Sequence, residues 1–258
     1  MVALSKKMKQ PTMFYEQTEF DIRCEWGLPG VKKLSSISNI VIIVDVMSFS
    51  SCVDIALSNG ALVLPYRWKD STAIEYAKSK NAELASFERQ TSGNSLSPSS
   101  LVNIAANTRL VLPSPNGSTL SLASTSKHTL TGCLRNCLAI AKYTTRLGGS
   151  VAVIPAGERW NDNTLRPAIE DLIGAGAIIN HLEGTKSPEA KIALFAFQAV
   201  KNRLFSTLLS CSSGKELSER GFKMDIELIA QFNCSNAVPM LVNKTYTNHN
   251  FAQLDLNL

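Results

Sequence analysis

The run NIVIIVDV, residues 39–46, constrains the fold more strongly than any other stretch of the chain. Its centre is a series of five consecutive β-branched residues, so it offers no polar face to water. Such a run is typical of a parallel strand that is buried on both sides. Further short strands are predicted at FDIRCEW, ALVLPY, AELAS, TRLVLP, HTLTG, SVAVIPA and AVPMLV.

Helical patterns separate these strands. The segment FSSCVDIALSNG reads as a helix that Gly60 closes. Other helices are predicted at STAIEYAKS, SPSSLVNIA, STLSLAS and CLRNCLAIAKYTTRL. After residue 160 the pattern is mainly helical, with RPAIEDLIGAGAIINHL, SPEAKIALFAFQAVKNRLFSTLLSC, GKELSERG and KMDIELIAQF. The alternation predicts an α/β protein with layered α/β/α architecture, a mixed, largely parallel sheet and a helix-rich C-terminal portion.

The length of the chain allows one large domain or two small ones. Its 258 residues are 45% hydrophobic, which is enough to fill a sizeable core. Because no low-complexity linker interrupts the pattern, we expect a single α/β domain over residues 20–246. An N-terminal tail over 1–19 and a C-terminal tail over 247–258 would flank it.

Charge and hydropathy limit the classes of partner. The 26 basic residues are scattered among 21 acidic ones, so the chain lacks the concentrated patch that a nucleic-acid partner requires. The net charge of +5 suits a small anionic substrate, or it is ordinary solvated surface charge. With no run of 18 apolar residues and no secretory leader pattern, we expect a cytoplasmic protein without a membrane partner. Monomer and homodimer both remain open.

The cysteines do not form a zinc motif. Six are spread along the chain without the paired spacing that a zinc site needs. Cys133 and Cys137 share one face of a predicted helix, and we expect them to be reduced, small buried residues.

Asp45 is the first candidate for chemistry, because in open α/β sheets ligands bind beyond the carboxyl ends of strands. It stands at the end of the most apolar strand, where an unpaired charge would cost several kcal/mol without a compensating metal, cation or hydrogen-bond donor. Ser48 follows at the mouth of the next helix. The alternative is that Asp45 simply caps that helix.

The stretch VLPSPNGSTLSLA, residues 111–123, is the second candidate. A strand, a turn at Asn116-Gly117 and a helix beginning with Ser118-Thr119 place N–H groups and hydroxyls at the positive end of a helix dipole. Such a position suits a phosphate or sulfonate oxygen. An ordinary capped connection is the alternative, since the glycine spacing of the nucleotide-binding fingerprints is missing.

The richest segment is VIPAGERWNDNTLRPAIEDLIGAGA, which carries Glu158, Arg159 and Arg166 in a polar loop after a strand. The arginines suit a doubly charged oxyanion, or they form surface ion pairs with acidic neighbours. Glu170 and Asp171 follow in the first turn of an otherwise apolar helix. They are either dipole-stabilised caps or metal ligands.

A fourth strand end carries Glu88 and Arg89, for which a solvated loop with a paired charge is an equal alternative. The three histidines lie away from these strand ends, and no Gly-x-Ser-x-Gly elbow occurs. Carboxylates, arginines and hydroxyls therefore favour divalent-cation-assisted chemistry on an anionic ester over histidine-based nucleophilic catalysis.

Taken in order, several short motifs resemble those of the 2-phosphosulfolactate phosphatase family. They are VDVMSFSSCVDIALSNGA, SPNGST, TGCLRNCLAIA, PAGERW with IEDLIGAGAI, and SGKELSERGFKMDIELIAQ followed by AVP. The resemblance runs from about residue 20 to about residue 242. Although each motif is short, their joint order and spacing make chance similarity a poor explanation.

Two motifs depart from the family's pattern. The family commonly has an arginine and two threonines after the first strand end, where this chain has MSFSS at residues 47–51. Its typical Gly-Glu-Arg loop is here SFER at residues 86–89. These differences predict a rearranged pocket in which the reaction type carries over while the substrate differs.

The resemblance implies an Mg²⁺-dependent phosphatase acting on 2-phosphosulfolactate or a related small phosphorylated acid. Asp45 with Glu170 or Asp171 would hold Mg²⁺, with Asp45 and Glu170 as the preferred pair, and Arg159 would neutralise the phosphoryl group. Either a water or Asp45 itself would attack. The expected substrate-binding residues are Ser48, Glu88, Arg89, Asn116, Gly117, Ser118, Thr119, Glu158 and Arg166.

Two other function classes stay open. A catalytically inactive relative that binds a small anion would account for the missing arginine after the first strand. A nucleotide-dependent oxidoreductase is opposed by the absence of a Gly-x-Gly-x-x-Gly pattern.

Overall fold

A computed structural model describes residues 13–90 and 93–249 of the chain. The strands are β1 (Ile22–Cys24), β2 (Ile40–Val44), β3 (Leu62–Tyr66), β4 (Glu83–Leu84), β5 (Arg109–Pro113), β6 (His128–Thr131), β7 (Val151–Pro155), β8 (Glu158–Arg159), β9 (Leu165–Arg166), β10 (Pro239–Val242) and β11 (Thr245–Asn248). The helices are α1 (Gly27–Leu34), α2 (Phe49–Ser58), α3 (Ser71–Ser79), α4 (Gly117–Ala123), α5 (Cys137–Leu147), α6 (Ile169–Ile179), α7 (Pro188–Val200), α8 (Leu204–Ser210), α9 (Ser212–Glu219) and α10 (Lys223–Ile229).

Nine of these strands form one mixed sheet in the order β1-β7-β2-β6-β10-β11-β3-β5-β4. Two parallel blocks, β1-β7-β2-β6 and β3-β5-β4, are joined in the middle by the antiparallel strands β10 and β11. The prediction of an α/β fold with a mixed, largely parallel sheet is therefore confirmed.

Strand β2 explains why helices cover both faces of the first block. Ile40, Ile42 and Val44 point into a core formed with α5, α6 and α7. The alternate residues Val41 and Ile43 point into a second core formed with α1 and α4. A strand buried on both faces needs apolar residues at every position, which is what the run IVIIV provides.

The segment that follows β5 reaches the carboxyl end of β2, in the other parallel block. Strands β2 and β5 are separated in the strand order by β6, β10, β11 and β3. Nevertheless the backbone N–H of Gly117, just after β5, donates a 2.7 Å hydrogen bond to Asp45, just after β2. Helix α4, which begins at Gly117, packs against β3, β6 and β2 and so brings the end of β5 to the end of β2.

Helix α6 packs closely because two glycines lie on its surface. Gly174 rests against Val44 and Val46, and Gly176 lies against the backbone of α7 at Ala193. Any larger side chain at either position would meet these neighbours, so both glycines allow α6 to pack closely.

Several elements differ from the sequence prediction. The helix expected at residues 97–105 is a short 3-10 turn, Pro98–Leu101, and the helix expected from residue 133 begins at Cys137. The long helix expected over residues 187–211 divides into α7, the 3-10 turn Lys201–Arg203 and α8. Neither proline nor glycine stands at this division, so the local sequence does not predict it.

Helix α1 and strand β11 were not predicted. Gly and Pro in GLPGVKKL obscure the helical pattern of α1, and TYTN in β11 contains a single apolar side chain, Tyr246, which is fully buried. The expected boundary at residue 246 falls within β11. Gln17, in the expected N-terminal tail, exchanges hydrogen bonds with the backbone of Cys24, while residues 1–12 and 250–258 lie outside the described part.

Two further observations concern cysteines and membranes. All six cysteines are free, and Cys133 and Cys137 are buried, as expected. None of the helices in residues 13–90 and 93–249 is both long and apolar enough to cross a bilayer.

Replacing Gly176 with alanine tests the packing of α6 on α7. The new Cβ would overlap the carbonyl oxygen of Ala193, which cannot move without displacing α7. We expect G176A to lower the free energy of unfolding by about 2 kcal/mol, because overpacking exceeds the gain of about 1 kcal/mol in helix propensity. Urea unfolding would measure this loss.

Gly221→Ala is the matched control, because nothing lies within 4 Å of the added methyl group, although the backbone there has a φ of +87°. We expect a loss of about 1 kcal/mol from backbone strain alone. Equal losses in the two variants would contradict the packing argument.

Candidate active site

A pocket of about 760 Å³ opens where the loops after β2, β5 and β7 converge. Helix α9, from the helix-rich C-terminal portion, and the hairpin β8–β9 complete its wall. The lining residues include Asp45, Ser48, Lys69, Arg89, Asn116, Glu158, Arg159, Trp160, Arg166, Ser213, Glu216 and Arg220. The structure therefore brings together seven of the predicted site residues: Asp45, Ser48, Arg89, Asn116, Glu158, Arg159 and Arg166.

Asp45 lies at the floor of this pocket and is 5% exposed. The backbone N–H groups of Gly117 and Phe49 donate to its carboxylate. A Cβ at Gly117 would overlap the Phe49 ring and lie 2.7 Å from Asp45 Oδ2. The Asn-Gly turn therefore needs its glycine so that the backbone can approach the carboxylate.

This geometry changes the role expected for the turn. The N–H of Gly117 serves Asp45 and not an incoming phosphate. Ser118 Oγ donates to the carbonyl of Leu112, and Thr119 is half-buried and does not line the pocket. Among these four residues, only Asn116 faces the cavity.

Asn116 connects the turn to Glu158. Its Nδ2 donates to Glu158 Oε2 over 2.9 Å. Burial, together with the nearby charge of Asp45, raises the pKa of Glu158 to about 7. Burial also raises the pKa of Asp45 to about 6, against the lowering effect of its two N–H donors. The pocket thus contains two carboxyl groups that exchange protons near neutral pH.

Asp171 is placed differently from its predicted role. Its Oδ1 accepts from the N–H of Val46 at 2.7 Å, and its Oδ2 accepts from the N–H of Gly157 at 2.8 Å. Burial and the neighbouring carboxylates Asp45 and Glu170 hold its pKa well above the usual range. Asp171 clamps the loops after β2 and β7 together and does not line the pocket.

Glu170, beside it on α6, is 2% exposed and lies behind the pocket wall. Its charge raises the pKa values of Asp45 and Glu158, so the three carboxyl groups are electrostatic neighbours. It also lies close to Cys211, whose pKa its charge raises. Glu170 is therefore close to the acidic floor of the pocket without opening onto it.

Arg89 brings positive charge to the floor. Its Nη2 donates to Ser48 Oγ at 2.9 Å, and its Nη1 donates to Asp225 Oδ2 at 2.6 Å. The charge of Arg89 lowers the pKa of Asp45, which places the two side chains near each other. Its neighbour Glu88 is outside the pocket lining, so the structure separates this predicted pair.

The hairpin β8–β9 carries two more arginines. Arg159 is exposed at the pocket mouth, while Arg166 donates to Ser213 Oγ at 3.3 Å and lies 5.8 Å from the Trp160 ring centroid. The charge of Arg166 lowers the pKa of Glu158. Ion pairs with Glu158 or Asp162, the alternative role, do not occur for either arginine among the described residues.

Sequence reasoning missed one whole wall of the pocket. Ser213, Glu216, Leu217 and Arg220 line it from α9 and the residue that ends it. Their spacing is that of one helix face, which SGKELSERG could have indicated. Lys69 lies just after β3, a strand that the sequence predicted, but Lys69 itself was not among the predicted site residues.

The charges of the pocket suit a small anion with more than one acidic group. Lys69, Arg89, Arg159, Arg166 and Arg220 supply five cations around two carboxyl groups on the floor, with Asp162 and Glu216 at the rim. Arginine forks bind phosphate, sulfonate and carboxylate oxygens in pairs. The cavity volume lies within the range of ordinary small-molecule sites.

No group of three or more His, Cys, Asp or Glu side chains within residues 13–90 and 93–249 is arranged to hold a metal ion by itself. A magnesium site does not require such a group, because Mg²⁺ usually keeps several waters and takes one or two carboxylates. Buried, mutually repelling carboxylates such as Asp45, Glu158 and Glu170 are hard oxygen donors of this kind. The donor chemistry of the pocket floor thus fits Mg²⁺.

Comparison with known proteins gives a consistent result. Residues 28–244 match the family model described as 2-phosphosulpholactate phosphatase. The chain is 29% identical over 209 residues to the 2-phosphosulfolactate phosphatase of Methanothermobacter thermautotrophicus, covering 79% of this chain and 87% of that relative. It is 25% identical over 217 residues to a probable 2-phosphosulfolactate phosphatase of Caldanaerobacter subterraneus, covering 79% and 88%. The family resemblance predicted from the motifs is confirmed.

The raised pKa of Glu158 predicts a pH-dependent effect of Glu158→Gln on stability. Because the folded pKa of about 7 lies above the ordinary value of 4.5, wild-type stability from this group is complete below pH 4.5 and is lost as the pH rises through 7. We expect E158Q to exceed the wild type by about 2 kcal/mol in free energy of unfolding at pH 8 and to match it below pH 4.5. Urea unfolding with a chelator present, from below pH 4.5 to pH 8, would measure the difference.

Asn116 can donate to the amide oxygen of the substituted side chain as it does to the carboxylate, so that hydrogen bond is preserved in E158Q. Parallel stability curves for the two proteins across this pH range would contradict the assignment of the raised pKa.

Proposed function

The chain belongs to the 2-phosphosulfolactate phosphatase family, and from this premise we propose that it hydrolyses 2-phosphosulfolactate or a related small phosphorylated acid with Mg²⁺ in the pocket. The prediction of a phosphoric monoester hydrolase agrees with the names of its relatives. One observation carries the proposal: the buried carboxylate of Asp45 faces a pocket that also contains Arg89, Ser48 and Glu158.

The proposed metal position involves Asp45 and Glu170. Their charges are close enough to interact, and both are buried beside the pocket floor. Mg²⁺, when bound there, would supply charge neutralisation for the phosphoryl oxygens. The nucleophile, a water or Asp45 itself, stays open in this proposal.

The phosphoryl group would be bound by Arg89 and Ser48. The Arg89 guanidinium is already oriented by Ser48 and Asp225, so few of its rotamers must be lost on binding. Positive groups fixed near the reacting phosphoryl stabilise the negative charge that its oxygens carry in the transition state. This assigns to Arg89 the neutralising role that the sequence assigned to Arg159.

The remaining acidic groups of the substrate would be bound at the mouth of the pocket. Arg159 and Arg166 stand on the hairpin β8–β9, and Arg220 faces the cavity at the end of α9. Binding there would hold the substrate with its phosphoryl group toward the floor and would exclude water with the hairpin.

Glu158 would act as the general acid. With a pKa of about 7 it carries a proton on a substantial fraction of molecules at neutral pH. Its Oε2 is fixed by Asn116, which leaves Oε1 to donate that proton to the leaving oxygen.

Asp45→Asn tests the central residue. The amide keeps the size of the side chain but removes its charge, so we expect phosphate release from 2-phosphosulfolactate to fall at least a hundredfold. This corresponds to a loss of about 2.7 kcal/mol of transition-state stabilisation. Asp54→Asn is the matched control, because Asp54 is a fully buried aspartate that does not line the pocket.

Wild-type turnover in D45N would contradict the role of Asp45. Tight binding of the substrate by the wild type without any release of phosphate would favour the alternative, a relative that binds a small anion and has lost the chemistry.

Magnesium binding can be tested without activity. At a concentration about 100 times its Kd, Mg²⁺ would stabilise the folded chain by about 2.7 kcal/mol, which raises Tm by roughly 5 °C or more. We expect Asp45→Asn and Glu170→Gln to lose most of this shift. Asp162→Asn, a change of an exposed acidic side chain at the rim, should retain it.

Thermal melting with and without Mg²⁺ makes this measurement. An equal shift of Tm in wild type, D45N and E170Q would place the ion elsewhere.

A further inference from the structure

Asp225, on α10, is a buried charge that does not line the pocket and was not among the predicted site residues. Its side chain is 0% exposed. Its carboxylate accepts from Arg89 Nη1 at 2.6 Å, from Ser97 Oγ at 2.7 and 2.8 Å, and from the N–H of Ser99 at 2.9 Å. A buried carboxylate is stable only with such compensation, so these contacts fix its position tightly.

Arg89 depends on this anchor because its own backbone lies in an irregular segment between β4 and the 3-10 turn Pro98–Leu101. Its guanidinium is 5.5 Å from the Phe222 ring centroid, near the start of α10, and its side chain is 10% exposed. Helix α10 therefore contacts Arg89 through both a charge and a ring. The remaining exposure of the side chain is toward the pocket.

The buried ion pair between Arg135 and Asp54 is a useful comparison for the pair between Arg89 and Asp225. Asp54 and Arg135 form an ion pair of 2.8 Å, and Asp54 also accepts from a serine, Ser235. There, further N–H groups of the arginine donate to the carbonyl of Leu228 and to Gln231. Arg135 thus has partners in Asp54, Leu228 and Gln231, and it does not line the pocket.

Arg89 differs because its hydrogen bonds within the described residues are to Asp225 and Ser48 alone. A guanidinium has five N–H donors, and each of these contacts uses one terminal nitrogen from one side. The other donors have no partner among the described residues, and Arg89 lines the cavity. An arginine held by two fixed partners, with donors still free, is arranged to bind an oxyanion in a fixed direction.

We propose that Asp225 is a positioning residue that orients Arg89 for the phosphoryl group of the substrate. The proposal rests on the proposed function, since it specifies how one cation of that site is held. Asp225 touches neither substrate nor metal in this assignment. Its contribution passes entirely through the direction of the Arg89 guanidinium, from a helix 136 residues away in the chain.

A double-mutant cycle on binding tests this dependence. Inorganic phosphate is the probe, with affinity measured by calorimetry in the presence of Mg²⁺ for wild type, Asp225→Asn, Arg89→Met and the double variant. We expect D225N and R89M each to weaken phosphate binding at least tenfold. The double variant should bind within twofold of R89M, because Asp225 has no function once the guanidinium is gone.

Asp54→Asn is the matched control, since it removes a charge of equal burial from the pair that lies outside the pocket. It should lower Tm as D225N does and leave phosphate affinity within twofold of the wild type. If D225N does not fold, Ser97→Ala removes one donor to Asp225 from outside the pocket and should weaken phosphate binding two- to fivefold.

Phosphate affinity of D225N within twofold of the wild type would overturn the proposal, as would a full, additive effect of D225N in the R89M background. Neither result would affect the proposed phosphatase activity. If the wild type neither binds nor releases phosphate, the proposed function fails instead. The orientation of Arg89 can still be measured then, by ¹⁵N NMR of its Nε–H group, and an unchanged signal in D225N would overturn the anchoring itself.

Discussion

The hydrogen bond from the Gly117 amide to Asp45 is the contact on which the site depends. It joins the ends of two strands that lie in different parallel blocks of the sheet, and it forms because helix α4, which begins at Gly117, packs across the sheet from β3 to β2. It also gives the Asp45 carboxylate a donor at the floor of the pocket, where this side chain is largely buried. Without a glycine at this position the backbone could not approach the carboxylate, because Phe49 occupies the space that a side chain would need.

Once Asp45 is buried there, the electrostatics of the neighbouring groups follow. Asp45 and Glu158 lie close to each other and to Glu170, so burial and neighbouring negative charge raise the pKa values of Asp45 and Glu158. The surrounding cations come from elements far apart in the chain, with Arg89 before β5 and Arg220 after α9. The pocket therefore combines a proton-holding floor with a cationic wall, which is the combination that phosphate-ester hydrolysis requires.

Much of the fold was predictable because its signals are local. The run IVIIV predicts a strand buried on both faces, and the glycines of IEDLIGAGAII allow close contacts between helices. Strand β11 was not predictable, because TYTN acquires its place in the centre of the sheet through pairing with β10 and β3. The break between α7 and α8 likewise depends on the elements against which those helices pack. The local sequence does not predict these tertiary contacts.

The sequence by itself determined the family, the α/β class and most of the residue types at the strand ends, because strands and their polar ends are written in consecutive residues. Only the tertiary structure decided the direction of each side chain. It turned Asp171 onto two backbone amides, left Glu88 outside the pocket, and brought Lys69, Arg220 and Asp225 to the pocket or behind it. The physical reason is that a polar side chain points to the partner that best compensates its charge, and those partners lie on distant segments that only the folded sheet and the C-terminal helices bring together.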